Sequence, residues 1–103
     1  MSTSGRNGAV EFNVIYSQAV LQALKRLLNG LSSEDERRRC AAALRVIHKR
    51  LRHDPQVFGE PRFTQSGDPH TVRIGGVLPL IVRFAVYEKR RDVWILGFHM
   101  LAP

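Results

Sequence analysis

The stretch from Leu78 to Leu101, LPLIVRFAVYEKRRDVWILGFHML, constrains the fold more than any other part of the chain. Two runs rich in Val, Ile, Phe and Trp flank the charged cluster Glu88-Lys89-Arg90-Arg91-Asp92, the pattern of a β-hairpin with a solvated tip. Side chains alternate between faces along a strand. Counting by twos puts Leu80, Val82, Phe84 and Val86 on one face, with Trp94, Leu96, Phe98 and Met100 across the ladder from them. The other face takes Ile81, Arg83, Ala85 and Tyr87, then Val93, Ile95, Gly97 and His99. The first face is wholly apolar and needs a cover. The second mixes apolar, cationic and titratable groups, and functional residues are expected there.

The cover is written upstream. Val10 to Tyr16 (VEFNVIY) alternates as a half-buried strand, and Ser17 stands where a helix N-cap belongs. Val20, Leu24, Leu27, Leu28 and Leu31 follow at spacings of three and four, the stripe of an amphipathic helix that Gly30 is expected to end in a left-handed conformation. A second helix starts at Ser33, with Glu36 at capping-box spacing and Glu34, Asp35 and Glu36 at the positive end of the helix dipole. Its apolar stripe is Cys40, Ala43, Leu44, Ile47 and Leu51, and Arg38, Arg45, Lys49 and Arg52 fall together on a neighbouring face. Asp54-Pro55 stops it. Residues 55 to 70 read as a surface connection, Thr71 to Ile74 as a short strand, and Gly75-Gly76 as the turn into the long hairpin. The order β-α-α-β-β-β predicts an α+β domain: a mainly antiparallel four-stranded sheet with the two-helix hairpin packed on one face.

At 103 residues and 44% hydrophobic content, the chain suits one folded domain, set at residues 9–103 behind a flexible tail at 1–8. The lone cysteine, Cys40, leaves no intramolecular disulfide, and no Cys/His spacing suggests a metal or cofactor site. No apolar run is long enough for a membrane span, and MSTSGRNG lacks the core of a secretory signal, so a cytoplasmic location is expected. The net charge of +7 favours polyanions: RNA, DNA or an acidic protein.

Several short segments in order carry a family likeness. They are Val10-Glu11-Phe12, Tyr16-Ser17-x-Ala19, Leu51-x-x-Asp54-Pro55, Phe58-Gly59-Glu60-Pro61, Val72-Arg73-Ile74, Val82-x-Phe84-x-Val86-Tyr87 and Val93-Trp94-Ile95-Leu96. Together they resemble the RelE/ParE superfamily of toxins from bacterial type II toxin–antitoxin systems, a group that includes ribosome-dependent mRNA cleavers and gyrase poisons. The resemblance implies an acidic antitoxin as partner, the ribosome and its message or gyrase as target, and, for the cleaving branch, metal-independent endoribonuclease chemistry. That branch uses basic residues on the open sheet face plus an arginine and a tyrosine at or after the last strand. Arg73 matches one basic position; Ile81 stands near another, with Arg83 two residues on; and Met100-Leu101-Ala102-Pro103, after His99, holds neither arginine nor tyrosine.

The candidate roles follow. Arg73 and Arg83 are expected to hold phosphate on the open face, and His99 or Tyr87 to exchange protons with a 2′-hydroxyl and leaving oxygen. Arg45, Lys49 and Arg52 on the second helix, and Arg90 and Arg91 at the hairpin tip, are further candidates for phosphate contact. Val93 and Ile95 are expected on the open face, where they suit an acidic, apolar antitoxin tail. His48 and His53 read as surface residues and His70 as a loop residue. The alternative function is a non-catalytic binding domain: a gyrase-directed ParE-like toxin, or an interaction module without RNase chemistry.

Overall fold

A computed structural model describes residues 11–65 and 69–101; the tail expected at residues 1–8 lies outside them. In chain order the elements are β1 (Asn13–Ile15), α1 (Gln18–Asn29), α2 (Glu34–His53), β2 (Glu60–Gln65), β3 (His70–Val77), β4 (Leu80–Tyr87) and β5 (Asp92–Met100). The α+β class is borne out, but the sheet has five strands and is mixed, in the order β1-β5-β4-β3-β2. Three pairings are antiparallel, and β1 runs parallel to β5. The additional strand, β2, comes from the segment read as a connection. Pro61 argues against a central strand, but at an edge its missing N–H costs no ladder bond, and the register shifts just past it, between Pro61 and Phe63.

Both helices start as their sequences specify. The Ser17 hydroxyl accepts from the Val20 N–H, and the Ser33 hydroxyl accepts from the Glu36 N–H, each satisfying an amide that a helix N-terminus leaves free. Gly30 ends α1 differently from expectation. It stays right-handed, at φ −78°, and donates its N–H to the Arg26 carbonyl, so no left-handed cap forms. At the far end of α2, Arg50 reaches one turn along to Asp54, and Pro55 is buried.

The core lies between the helices and one face of the sheet. Cys40, Ala43, Ile47 and Leu51 of α2 meet Leu80, Val82, Phe84 and Val86 of β4, with Leu27, Leu28, Leu31 and Leu44 packed at the margin. Phe84, Ile47, Leu51, Leu80 and Val82 are fully buried, and each such side chain contributes about 1.5–3 kcal/mol on leaving water. Phe58, from the loop after α2, stacks on Phe84 at 5.8 Å and carries the Arg50 guanidinium 4.9 Å from its ring centre. The glycines expected to form a turn do another job. Strand β3 runs on to Val77, the turn falls at Leu78-Pro79, and Gly75 lies under Phe58, whose ring would stand 2.8 Å from an added Cβ.

The covered face differs from expectation in its β5 half. Arg83 pairs with Gly97 but Phe84 pairs with Ile95, so Leu96 is an extra, unpaired residue. Such a bulge reverses the alternation beyond it. Phe98 and Met100 face the helices as expected, whereas Val93 and Ile95 replace Trp94 and Leu96 in the core. Val93 and Ile95 are 0% and 2% exposed; Trp94 and Leu96 are 39% and 40% exposed. The expectation that Val93 and Ile95 serve a partner on the open face is therefore corrected, because the bulge turns both inward.

This packing makes Ile47→Ala a cavity under the sheet, expected to cost about 2–5 kcal/mol in urea unfolding. Arg45→Ala, on the solvent side of the same helix, should stay within about 0.5 kcal/mol. Equal losses would show α2 rotated from this arrangement.

Candidate functional site

The open face can be laid out from the strand registers. One row crosses every strand: Ile15, Trp94, Ala85, Val72 and Phe63 are successive partners from β1 to β2. The next row holds Gly97, Arg83, Ile74 and Glu60, and the one after it His99, Ile81 and Gly76. On the other side of the long row, Asn13, Asp92 and Tyr87 are partners. Val72 and Ala85 are buried yet stand apart from the helix-side core, as expected of small residues flanked in register by Phe63 and Trp94.

Arg83 and His99 are both exposed on this face, as expected, and are diagonal neighbours across β4 and β5. Such neighbours lie about 7–8 Å apart, within reach of long side chains. Arg83 has no ion-pair or hydrogen-bond partner among the described residues. A Cβ added to its partner, Gly97, would meet nothing within 4 Å, so the position across the ladder from Arg83 is an open notch. Here the arrangement can hold an anion: a planar cation with unused donors beside an imidazole.

Arg73 does not join them. Val77 pairs with Leu80 after the two-residue turn, which makes Arg73 the partner of Phe84 and places it on the helix side. Its Nε donates to the Phe58 carbonyl at 3.0 Å and its NH2 to the Gly59 carbonyl at 2.8 Å. It clamps the loop after α2 to the sheet. The expected place of Arg73 on the open face, for phosphate binding, is corrected to the helix side, because β3 runs through the expected Gly75-Gly76 turn to Val77 and so sets Arg73 opposite Phe84.

Tyr87 lies on the open face but far from His99. His99 is opposite Ile81 and Tyr87 is six residues further along β4, a span of about 20 Å at the usual rise. The two groups cannot act on one phosphate. Around Tyr87 a separate cluster forms: the His70 ring lies 4.5 Å from it, the Arg90 guanidinium 4.3 Å from its centre, and Arg90 also reaches Asp92 at 3.9 Å. His70 is thus a strand residue engaged with an aromatic ring. Arg91 turns back over Phe12, and its carbonyl accepts the Asn13 N–H at 2.8 Å. The tip arginines are bound into the fold, which reduces what they can offer a phosphate.

The basic face of α2 is exposed but points away from the sheet, opposite to Arg83 and His99. Arg38 pairs with Asp35 at 3.3 Å and Arg52 with Glu11. The hydrogen bond and charge of Arg52 hold the Glu11 carboxyl below its usual range. Arg45 and Lys49 have no ion-pair partner among the described residues.

Sequence reasoning missed two features. Trp94 belongs to the open face, and a glycine inside a strand pattern, Gly97, is the signal for the bulge that puts it there. His48 is not a free surface residue: its Nδ1 is 2.9 Å from the Tyr16 hydroxyl, and Tyr16 stacks on Phe98 behind it. Burial, then the nearby Arg52 charge, lowers the His48 pKa, and burial raises that of Tyr16. The spacing to Leu44, one turn earlier on the core stripe, carries that signal.

Two outcomes follow. Arg73→Ala should lower stability by about 1.5–3 kcal/mol through loss of charged hydrogen bonds, while Arg83→Ala should change it by no more than about 0.5 kcal/mol; denaturant midpoints compare them. Because the folded His48 pKa lies below its ordinary 6.5, the unfolded chain binds the proton more tightly. The stability due to neutral His48 is complete above pH 6.5 and is lost as pH falls from there through the folded pKa. His48→Gln should flatten that part of a pH–stability profile, and an unchanged profile would contradict the assignment.

Among the described residues no group of His, Cys, Asp and Glu is placed to hold a metal ion, and no helix is long and apolar enough to cross a membrane. No family model matches the chain, and no curated protein or solved structure matches it significantly.

Proposed function

We propose that this chain is a toxin-type protein of RelE/ParE-like build, the basic member of a bacterial toxin–antitoxin pair, which engages RNA of the translation machinery through its open sheet face. The observation that carries this reading is Arg83: an exposed, unpartnered arginine on the central strand β4, beside a notch and His99. The net charge of +7 supports it twice. It draws the chain to phosphates, and it suits an acidic antitoxin as the neutralising partner in the cytoplasm. The β-α-α order followed by antiparallel strands is the order that carries the resemblance in the sequence, although the sheet is wider by one strand than that order of patterns implied.

Binding is better supported than cleavage. Transfer of a phosphoryl group to a 2′-hydroxyl moves one proton from the attacking oxygen and delivers another to the leaving oxygen, on opposite sides of phosphorus. His99 can serve one of these positions. Tyr87, about 20 Å away along β4, cannot serve the other, and Arg73 faces the helices. A non-catalytic binding domain is accordingly the second reading, either gyrase-directed as in ParE-like toxins or an interaction module, and this separation of the two titratable groups is what favours it. If the chain does cleave RNA, it does so as a metal-independent endoribonuclease with Arg83 on the phosphate and His99 as the proton-transfer group.

The test uses the full chain with translating ribosomes and with free RNA. Affinity should fall steeply between about 50 and 200 mM salt as phosphate contacts release counterions, and Arg83→Ala should weaken binding and reduce the salt slope by about one. Message that stays intact at saturation would establish binding alone. Cleavage that slows about 10²–10⁴-fold in His99→Ala would instead assign His99 the proton transfer. Salt-independent binding, or binding indifferent to Arg83, would sink the reading.

A further inference from the structure

The two exposed rings of the open face differ from every other aromatic side chain described. Tyr16 stacks with His48 and Phe98, Phe58 with Phe84, and Tyr87 with His70. Phe12 lies under the Arg91 guanidinium. Trp94 and Phe63 alone have no ring or cation partner among the described residues, and they are 39% and 56% exposed. They share one cross-strand row, Trp94–Ala85–Val72–Phe63. Three strand spacings separate them, about 14 Å. Between them Ala85 and Val72 are small and already buried, so the apolar surface left in this row is mainly ring surface.

We propose that this row is a stacking platform for unpaired nucleobases of a single-stranded RNA, with Arg83 holding a phosphate beside it. The proposal rests on the RNA reading above and names the part of the RNA that the face takes. Flat rings stack on exposed aromatic faces irrespective of sequence, whereas the bases of an A-form duplex are stacked on one another and unavailable. Arg83 is two residues from Ala85 on the same face of β4, about 7 Å along the strand, and it is the only charged residue of β4. The nearest carboxylate rows end at the margins: Asp92 is engaged by Asn13 and Arg90, and Glu60 stands on the edge strand. The face therefore presents a cation on its central strand with a ring to either side, Trp94 on β5 and Phe63 on the edge strand β2, a combination suited to phosphate and base together. An aliphatic peptide would find little open aliphatic surface in the row between the rings.

Trp94 is the only tryptophan in the chain, so its fluorescence reports on the platform directly. The full chain is titrated with an unpaired RNA oligomer of about 10 nucleotides, with an abasic oligomer of the same length, and with a duplex. The unpaired RNA should quench the emission as it binds. The abasic oligomer should bind about five- to hundredfold more weakly and leave the emission unchanged, and the duplex should not quench. Phe63→Ala should weaken binding of the unpaired RNA by a similar factor with no change in salt slope, and Phe63→Tyr should restore it; unfolding midpoints confirm that both variants fold. Equal affinity for the abasic oligomer without quenching would overturn the platform while leaving phosphate-directed RNA binding intact. Absence of RNA binding, with quenching by an acidic, apolar peptide instead, would overturn both and make the face a protein-binding surface.

Discussion

Leu96 has no partner on β4, and that one unpaired residue divides β5 into halves of opposite phase. Before it, Val93 and Ile95 point to the helices; after it, Phe98 and Met100 do. The core thus receives four β5 side chains from a strand whose strict alternation would have supplied Trp94 and Leu96 instead. The same reversal delivers a large aromatic ring to the uncovered face. Core and candidate interface are consequences of one irregularity, and Gly97 beside it, with no side chain, leaves the notch next to Arg83.

Two arginines show how register decides role. Arg73 and Arg83 carry the same charge on adjacent strands, yet their pairing partners, Phe84 and Ile74, lie on opposite faces. On the helix side, Arg73 spends its donors on the carbonyls of Phe58 and Gly59 and closes the loop that follows α2. On the open side, Arg83 has no hydrogen-bond or ion-pair partner among the described residues. A surplus of positive charge is therefore a poor guide to a binding site by itself. Arg50, Arg52, Arg90 and Arg91 are all engaged within the fold, with Asp54, Glu11, the Tyr87 ring and the Phe12 ring respectively.

What was legible in the sequence is what depends on local chemistry. The caps at Ser17 and Ser33, the stripe Cys40–Leu51 and the hairpin around Glu88–Arg91 are short-range patterns, and the α+β class follows from their order. Apart from the right-handed end at Gly30 and the contact of His48 with Tyr16, the errors concern strand extent and register in the sheet. Alternation cannot show a bulge unless Gly97 is read as its marker, so simple counting puts Val93 and Ile95 outside and Trp94 inside. The pair Gly75-Gly76 mimics a turn, but its actual constraint is a tertiary one, the approach of Phe58. Pro61 hid an edge strand because proline disqualifies only central strands, and with β2 went any sign that Phe63 would stand in line with Trp94. Arg83 and His99 are legible because Leu80–Arg83 pair with Met100–Gly97 without interruption, as simple counting requires.

The open face depends on Trp94 facing out of the sheet, and collisional quenching of its fluorescence by acrylamide in the ligand-free protein tests that most directly. As the only tryptophan, it gives a signal free of other contributions. Trp94 on the open face predicts ready quenching and emission at the long wavelengths of a hydrated indole, in a protein that remains folded throughout. A blue-shifted emission that acrylamide barely reaches would place the ring under the helices, restore uninterrupted alternation in β5, and remove the basis for the open face described here.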